Sequence, residues 1–256
     1  MRYKQSPLWL FVILLTLPLI FNQSFQTLPA NTLQKNAEGF AVIELFTSEG
    51  CSSCPAADDA VAAFVKANPN DHVYVLSFHV DYWNKLGWKD VYSSAVYTAR
   101  QNRYASAMKL ENIYTPQIIV NGKYEFVGSN RSQLNRVVEK ELASSPAVPI
   151  TLSIAAANND RVTVSYQLNE KAKDNLNIAL LQLETSSDVK RGENEGRQLH
   201  HINVVRDFKT VVPAGLTGQL ELQIPKGISK QQCKVVAYLQ DGVSMQITAA
   251  GATAIQ

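Results

Sequence analysis

The segment from 41 to 78 constrains the fold more than any other part of the chain. It starts with the apolar run AVIELF (41–46), continues through TSEGCSSCP (47–55) and a stretch with helical apolar spacing, and ends in VYVLSF (73–78). Short apolar runs rich in strand formers are typical of buried strands, and Pro55 suits the first turn of a helix. We therefore expect a right-handed strand–helix–strand unit with parallel strands.

The next segments continue this mixed pattern. Residues 91–110 predict a helix, with Val91, Ala95, Ala99 and Tyr104 as candidate buried positions. The runs QIIV (117–120) and KYEFV (123–127) flank Asn121-Gly122, which predicts a hairpin with a two-residue turn. A closing helix is predicted from the apolar spacing of Leu134, Val137, Val138 and Leu142. The expected order is β-α-β-α-β-β-α.

A change of pattern divides the chain near SSPAVP (144–149), where two prolines end any helix. Beyond it apolar residues recur with a period of two, as in 162–168 and 220–224. Further strands are expected at 150–156, 177–184 and 234–240. We predict an α/β domain over 38–145 and a small β-sandwich-like all-β domain over 149–256.

Residues 186–203 (SSDVKRGENEGRQLHHIN) depart from the strand pattern of the second half because they are polar and contain two glycines. We expect a long polar loop there, and such a loop on a β-sandwich is either disordered or functional.

The first 30 residues predict export. Arg2 and Lys4 precede the apolar run at 8–21, which is shorter than the ~20 residues of a usual membrane-spanning helix. We predict a signal peptide over 1–30 and a periplasmic or secreted protein, with membrane attachment only if residues 8–21 are retained. The chain has 24 basic and 22 acidic residues and no basic block, so nucleic acid is not an expected partner.

Cys51 and Cys54 are the sharpest chemical feature, because the predicted helix begins at this pair. Thiol exchange requires a thiolate, and the N-terminal end of a helix stabilises negative charge on the first cysteine. Cys51 is therefore the candidate nucleophile and Cys54 the resolving thiol. The third cysteine, Cys233, lies in the predicted strand CKVVAYL and is expected to be a small buried hydrophobic residue.

This order of elements, the CxxC after the first strand and Thr115-Pro116 before the hairpin together resemble the thioredoxin superfamily over about 40–143. The resemblance implies a cis Pro116 that faces the cysteines and a Thr115 backbone that pairs with an extended substrate. The catalytic site would thus contain Cys51, Cys54, Pro116 and Thr115.

Longer strings extend the resemblance over nearly the whole chain after the export segment. ELFTSEGCSSCP, HVDYWNKLGWKD, YTPQIIVNG, GENEGRQLHHINVVR and VVAYLQD resemble the DUF1223 family of exported bacterial proteins of uncharacterised function. That resemblance implies a thioredoxin-like domain followed by a β-rich domain, and it carries no known substrate.

Supporting residues are expected in two loops. His79, Asp81 and Trp83 follow the second parallel strand, and parallel strands end at the same edge of a sheet, so this loop should lie beside the CxxC. We also hypothesise that the 186–203 loop covers the CxxC and supplies a cation to the Cys51 thiolate, with Arg197 and His200 as candidates. Glu49, just before the pair, is expected to be a solvated loop charge.

The sequence thus predicts an exported thiol–disulfide oxidoreductase-like protein with a protein thiol or disulfide as partner. It would need no cofactor beyond the redox-active Cys51–Cys54 disulfide. Two alternatives remain open at this stage: a copper or other soft-metal protein that uses the CxxC with a histidine, and a non-catalytic interaction module with a structural disulfide. No metal ligands are assigned.

Overall fold

The computed structural model describes Met1 and residues 39–69, 72–144 and 149–255. The predicted signal peptide therefore lies outside the described residues, apart from Met1. The described residues between 39 and 255 belong to one compact unit. No helix in the described ranges is long and apolar enough to cross a membrane.

The predicted order of elements in the first half is confirmed. It comprises β1 (Ala41–Thr47), α1 (Cys54–Ala67), β2 (Val73–His79), α2 (Ala95–Met108), β3 (Gln117–Val120), β4 (Tyr124–Val127) and α3 (Arg131–Leu142). The second half is all β and comprises β5 (Thr151–Ala157), β6 (Arg161–Gln167), β7 (Asn175–Asp188), β8 (Gln198–Val211), β9 (Thr217–Gln223), β10 (Cys233–Gln240) and β11 (Ile247–Ala254).

Eight strands from both halves form one mixed sheet in the order β11-β10-β7-β8-β2-β1-β3-β4. The predicted parallel pairing of β1 with β2 is confirmed. The β3–β4 hairpin also occurs where predicted, with positive φ at Asn121 and Gly122, but Val120 pairs with Tyr124 and the turn contains three residues. The two halves meet where β8 lies parallel to β2, with Ser77 opposite Val204.

Both faces of the large sheet are covered. Helix α2 packs on one face, over a core that includes Phe46, Phe78 and Tyr104. Helices α1 and α3 cover the opposite face of the first half. On that same side of the second half, the three-stranded sheet β5-β6-β9 packs against β7, β10 and β11, with Val164 and Ile178 in the shared core. The chain is thus a mixed α/β protein with a large sheet and a second, smaller sheet.

The predicted boundary at 144–149 lies mostly on residues outside the described ranges, and the division into domains 38–145 and 149–256 stays a prediction. Strands of both regions share one sheet, through the β2–β8 contact.

The prediction for the buried face of α2 is wrong at three of its four positions. Val91 precedes the helix and is exposed, as are Ala95 and Ala99, whereas Tyr104 is buried. The buried face carries Tyr97, Arg100, Gln101 and Tyr104 instead. A polar side chain can occupy such a face when it finds buried partners, and Arg100 does so on Glu44 of β1.

The prediction of a loop over 186–203 is also wrong at both ends. Strand β7 runs to Asp188 and β8 starts at Gln198, so the two form one long hairpin. Cross-strand pairing with a partner far along the chain allows this polar sequence to be extended. Only residues 189–197 connect the strands, and we call this connection the hairpin tip.

Candidate functional site

Cys51 and Cys54 form a disulfide at the start of α1. Cys51 lies in the turn after β1, and its carbonyl accepts a hydrogen bond from the backbone N–H of Cys54, the first residue of the helix. Pro55 occupies the first turn, where a missing N–H costs nothing. Both cysteines are 0% exposed. The disulfide therefore sits in the positive field of a helix end, yet it is closed off from solvent.

Thr115, which precedes Pro116, lies beside this disulfide. The Thr115–Pro116 peptide bond is cis. The carbonyl oxygen of Thr115 is 3.9 Å from Sγ of Cys51. On its other side, the Thr115 hydroxyl accepts a hydrogen bond of 2.8 Å from the indole Nε1 of Trp83. Trp83 thus reaches the site through Thr115 and fixes its side chain.

The hairpin tip covers the cysteine segment. The Asn194 side-chain amide donates to the carbonyl oxygens of Glu49 and Cys51, both at 2.9 Å, and Asn194 is only 1% exposed. The carboxylate of Glu193 accepts a hydrogen bond from the backbone N–H of Ser52 at 3.0 Å. Hydrogen bonding to the Ser52 side chain and, to a smaller extent, to this backbone N–H lowers the pKa of Glu193. The tip is therefore anchored on the backbone of the CxxC from both sides of Cys51.

Arg197 and His200, the predicted cations, occupy other positions. The Arg197 guanidinium donates to the Asn194 side-chain oxygen at 2.8 Å, and so orients the amide that holds the CxxC backbone. His200 lies in β8 opposite Ser186 and is exposed. Because successive side chains of a strand alternate between faces, it is the neighbouring His201 that points inward.

His201 belongs to a buried ionic cluster next to the cysteines. Its Nδ1 is 3.1 Å from Oδ2 of Asp58, and its Nε2 is 3.6 Å from Oε1 of Glu49. Burial alone would lower the pKa of His201, but its hydrogen bond to Asp58 and the nearby Glu49 carboxylate outweigh burial and raise that pKa to about 9. His201 is therefore an imidazolium at neutral pH.

Glu49 is fully buried, so the expectation of a solvated loop charge is wrong. Its Oε2 accepts a hydrogen bond of 2.7 Å from the indole Nε1 of Trp88, and its backbone N–H donates to Asp90 at 2.9 Å. These partners come from the 79–90 loop, and His201 comes from the second half of the chain. A carboxylate can remain buried here because each contact replaces part of its hydration.

His79 and Asp81 are placed differently from each other. His79 is buried and shares a 2.7 Å contact between its Nδ1 and Oδ2 of Asp90. Its ring lies edge-on to the His201 ring, with centroids 4.7 Å apart, so His79 adjoins the ionic cluster. Asp81 accepts a hydrogen bond of 2.6 Å from the Thr98 hydroxyl, and its backbone N–H donates to the same hydroxyl at 3.1 Å, so its side chain is directed to α2.

Sequence reasoning missed four members of this cluster: Glu49 as a buried group, Asp58, Asp90 and His201. Two signals could have found some of them. Asp58 follows Cys54 by four residues in a helix, which puts both on one face. His201 alternates with the exposed His200 in β8. Among the described residues, no group of three or more His, Cys, Asp or Glu side chains is arranged to hold a metal ion.

A sequence-family profile described as "Protein of unknown function (DUF1223)" matches residues 42–240. The chain belongs to the DUF1223 family. A search of curated proteins found no match.

Two solved structures share much of this fold. The crystal structure of protein AGR_C_4864 from Agrobacterium tumefaciens is 29% identical, with a TM-score of 0.63 over 84% of this chain and 94% of that one. HBP35 of Porphyromonas gingivalis is 14% identical, with a TM-score of 0.60 over 85% of this chain and 76% of that one. At that identity the second likeness concerns the fold alone.

Proposed function

We propose that this DUF1223 protein is an exported thiol–disulfide oxidoreductase whose first half is thioredoxin-like and whose redox-active pair is Cys51 and Cys54. The observation that carries the proposal is the disulfide at the N-terminal end of α1, with the backbone of Thr115 beside the Cys51 sulfur. A helix end favours thiolate at the first cysteine, and the short ring favours reversible closure.

The exchange proceeds in two displacements. In the reduced protein the Cys51 thiolate attacks one sulfur of a partner disulfide, so a mixed disulfide forms and the first partner sulfur leaves as thiolate. The Cys54 thiolate then attacks the Cys51 sulfur, which closes the Cys51–Cys54 bond and expels the second partner sulfur. Two electrons pass to the partner, and a partner dithiol drives the same steps in reverse.

Access to the pair requires movement of the hairpin tip. Both cysteines are fully buried, and Asn194 and Glu193 hold the tip against the backbone of Cys51 and Ser52. A partner sulfur can reach Cys51 only after these hydrogen bonds have broken and the tip has moved away. In this proposal the Thr115 backbone then pairs with an extended segment of the partner protein, and the second half of the chain controls access.

The test is to trap a partner in the Cys54→Ser variant. With the resolving thiol removed, the mixed disulfide at Cys51 cannot be released and should accumulate as a reductant-sensitive adduct of higher mass. Cys51→Ser should give no adduct, and Cys233→Ser, which removes the buried thiol of β10, should behave as the unmodified protein. The proposal is contradicted if Cys54→Ser and Cys51→Ser give the same adducts with oxidised protein substrates and with the exported proteins of the source cells.

Metal content measured on the reduced sample separates the other candidates. Stoichiometric soft metal on the reduced pair would favour the metal-binding hypothesis over exchange. Loss of stability without loss of any exchange activity in Cys51→Ser would favour an interaction module with a structural disulfide.

A further inference from the structure

Two buried carboxylates flank the cysteine pair. Glu49 precedes Cys51 by two residues and is 0% exposed, and Asp58 follows Cys54 by one helical turn and is 7% exposed. Negative charge near a thiol disfavours the thiolate, and it does so more strongly in a buried setting than in water. Without compensation these carboxylates would oppose the effect of the helix end on Cys51.

The inward side of β8 supplies one cation to this pair of carboxylates. The two ring nitrogens of His201 face Asp58 at 3.1 Å and Glu49 at 3.6 Å, and the ring is 2% exposed. Glu49 Oε1 and His201 Nε2 have no conventional hydrogen-bond partner among the described residues, so their interaction is chiefly electrostatic.

The other charged and titratable neighbours do not replace this cation. His79, on β2, is paired with Asp90 and faces the edge of the His201 ring. Tyr92 has its ring centroid 5.8 Å from that of His201. The Arg206 guanidinium carbon lies 4.9 Å from the centroid of the Tyr92 ring, and the guanidinium donates a hydrogen bond to the side-chain oxygen of Gln182. His201 is the group between the two carboxylates.

We propose that His201 is the positioning cation of the redox site: its imidazolium offsets Glu49 and Asp58 and so keeps the buried cysteine thiols acidic enough to exchange. This inference rests on the proposed function and assigns a role to a side chain from the second half of the chain. It replaces the sequence-based expectation that Arg197 or His200 supplies the cation. Among the described residues neither ring nitrogen of His201 hydrogen-bonds a cysteine sulfur, and His201 acts through the charge balance around the pair.

The experiment follows the thiolate directly. The protein and its variants are reduced with a phosphine, the reductant is removed, and thiolate ultraviolet absorbance is recorded against pH. His201→Gln should raise the pKa of the first thiol to ionise by about one unit, which means about tenfold less thiolate below that pKa. His200→Gln is the matched control, since His200 is exposed on the opposite face of β8, and it should match the unmodified protein.

A double variant separates charge from structure. Glu49→Gln combined with His201→Gln removes one negative charge together with the positive one, so the thiol pKa should return close to that of the unmodified protein. Two outcomes would overturn the proposal: His201→Gln titrating like His200→Gln, or the double variant remaining as shifted as the single one. The second outcome would mean that His201 has a purely structural role.

A second measurement, on the unmodified protein, requires neither exchange activity nor a substituted protein. In the oxidised unmodified protein, NMR of the imidazole should show His201 protonated through neutral pH and losing its proton near the value of about 9 given above. A proton lost at or below the ordinary value of 6.5 would overturn the inference. A Cys51–Cys54 pair that never exchanges would instead remove the proposed function and leave this imidazole measurement unaffected.

Discussion

Two buried ionic clusters lie along β1 and its following turn, and they differ in composition and in what they can do. In the first, Glu44 of β1 binds the guanidinium of Arg100 at 2.7 Å, and the phenols of Tyr104 and Tyr238 complete the cluster. In the second, Glu49 and Asp58 share the imidazole of His201 beside the disulfide. One cluster has a permanent cation and balanced charge, while the other has a titratable cation and an excess of acid.

The difference indicates separate roles. Burial would lower the pKa of Arg100, but the Glu44 carboxylate outweighs burial, and the net effect raises that pKa above its ordinary value. Arg100 therefore stays charged at every physiological pH. The Arg100 guanidinium also lies over four aromatic rings, 5.0–5.6 Å from their centroids. That cluster links α2 and β10 to β1, because Arg100 of α2 and Tyr238 of β10 both donate hydrogen bonds to Glu44. The His201 cluster contains a titratable cation and adjoins the cysteines, so we assign it to the proposed redox chemistry.

The largest effect is expected from Arg100→Leu. The variant leaves the Glu44 carboxylate buried without a cation, which costs on the order of 3–5 kcal/mol of unfolding free energy. Denaturant unfolding of the oxidised protein measures it. Arg103→Leu, at an exposed position of the same helix, is the control and should change the unfolding free energy little. If Arg100→Leu lowers the unfolding free energy no more than Arg103→Leu does, the first cluster does not stabilise the fold.

The pH dependence of stability should come from the second cluster. The folded-state pKa of His201 is raised above its ordinary 6.5 to about 9, so the folded state binds the proton more tightly than the unfolded chain. The stabilisation is fully present below pH 6.5 and is lost as pH rises through about 9. The loss should be on the order of 3 kcal/mol in the oxidised protein.

Denaturant unfolding at several pH values checks this prediction, with His201→Gln as the comparison. The slope of stability against pH between 6.5 and 9 should flatten in that variant. An equal slope in both proteins would assign the pH dependence to another group.

A kinetic effect of intermediate size is expected at the hairpin tip. Asn194→Ala removes two hydrogen bonds, to the carbonyls of Glu49 and Cys51, and should speed reduction of the disulfide by dithiothreitol about tenfold. Glu195→Ala, at an exposed position of the same tip, provides the baseline. If both variants are reduced at the rate of the unmodified protein, the tip does not control access to the pair.

The smallest effect is expected from Glu193→Gln. This side chain is exposed, and its bond to the Ser52 N–H persists with a neutral acceptor. The rate of disulfide reduction should rise by less than about twofold, because exposed charges contribute little. A change as large as that of Asn194→Ala would mean that charge, rather than the buried amide, anchors the tip.

Local sequence patterns predicted the elements that depend on local interactions. The β1–α1–β2 unit, the β3–β4 hairpin at Asn121-Gly122 and the cysteine pair at a helix start all follow from apolar spacing, turn residues and proline. The same patterns place Cys51 just before the helix and Cys54 at its start.

The remainder depends on contacts between distant parts of the chain, which no local pattern encodes. The polar residues at both ends of 186–203 are extended because β7 and β8 pair with each other. Glu49 is buried because Trp88 and His201 reach it from other elements. The buried face of α2 carries Arg100 because β1 offers Glu44, and apolar spacing alone cannot reveal such a polar match.

The reduction potential of the Cys51–Cys54 pair decides between an exchanging and a structural disulfide. The oxidised protein is equilibrated in glutathione buffers of graded potential, and the free thiols are then alkylated under mildly denaturing conditions and counted. We expect a potential within the exchange range of about −120 to −270 mV. A potential below about −300 mV, with no metal on the reduced protein, would mark a structural disulfide and contradict the proposed function.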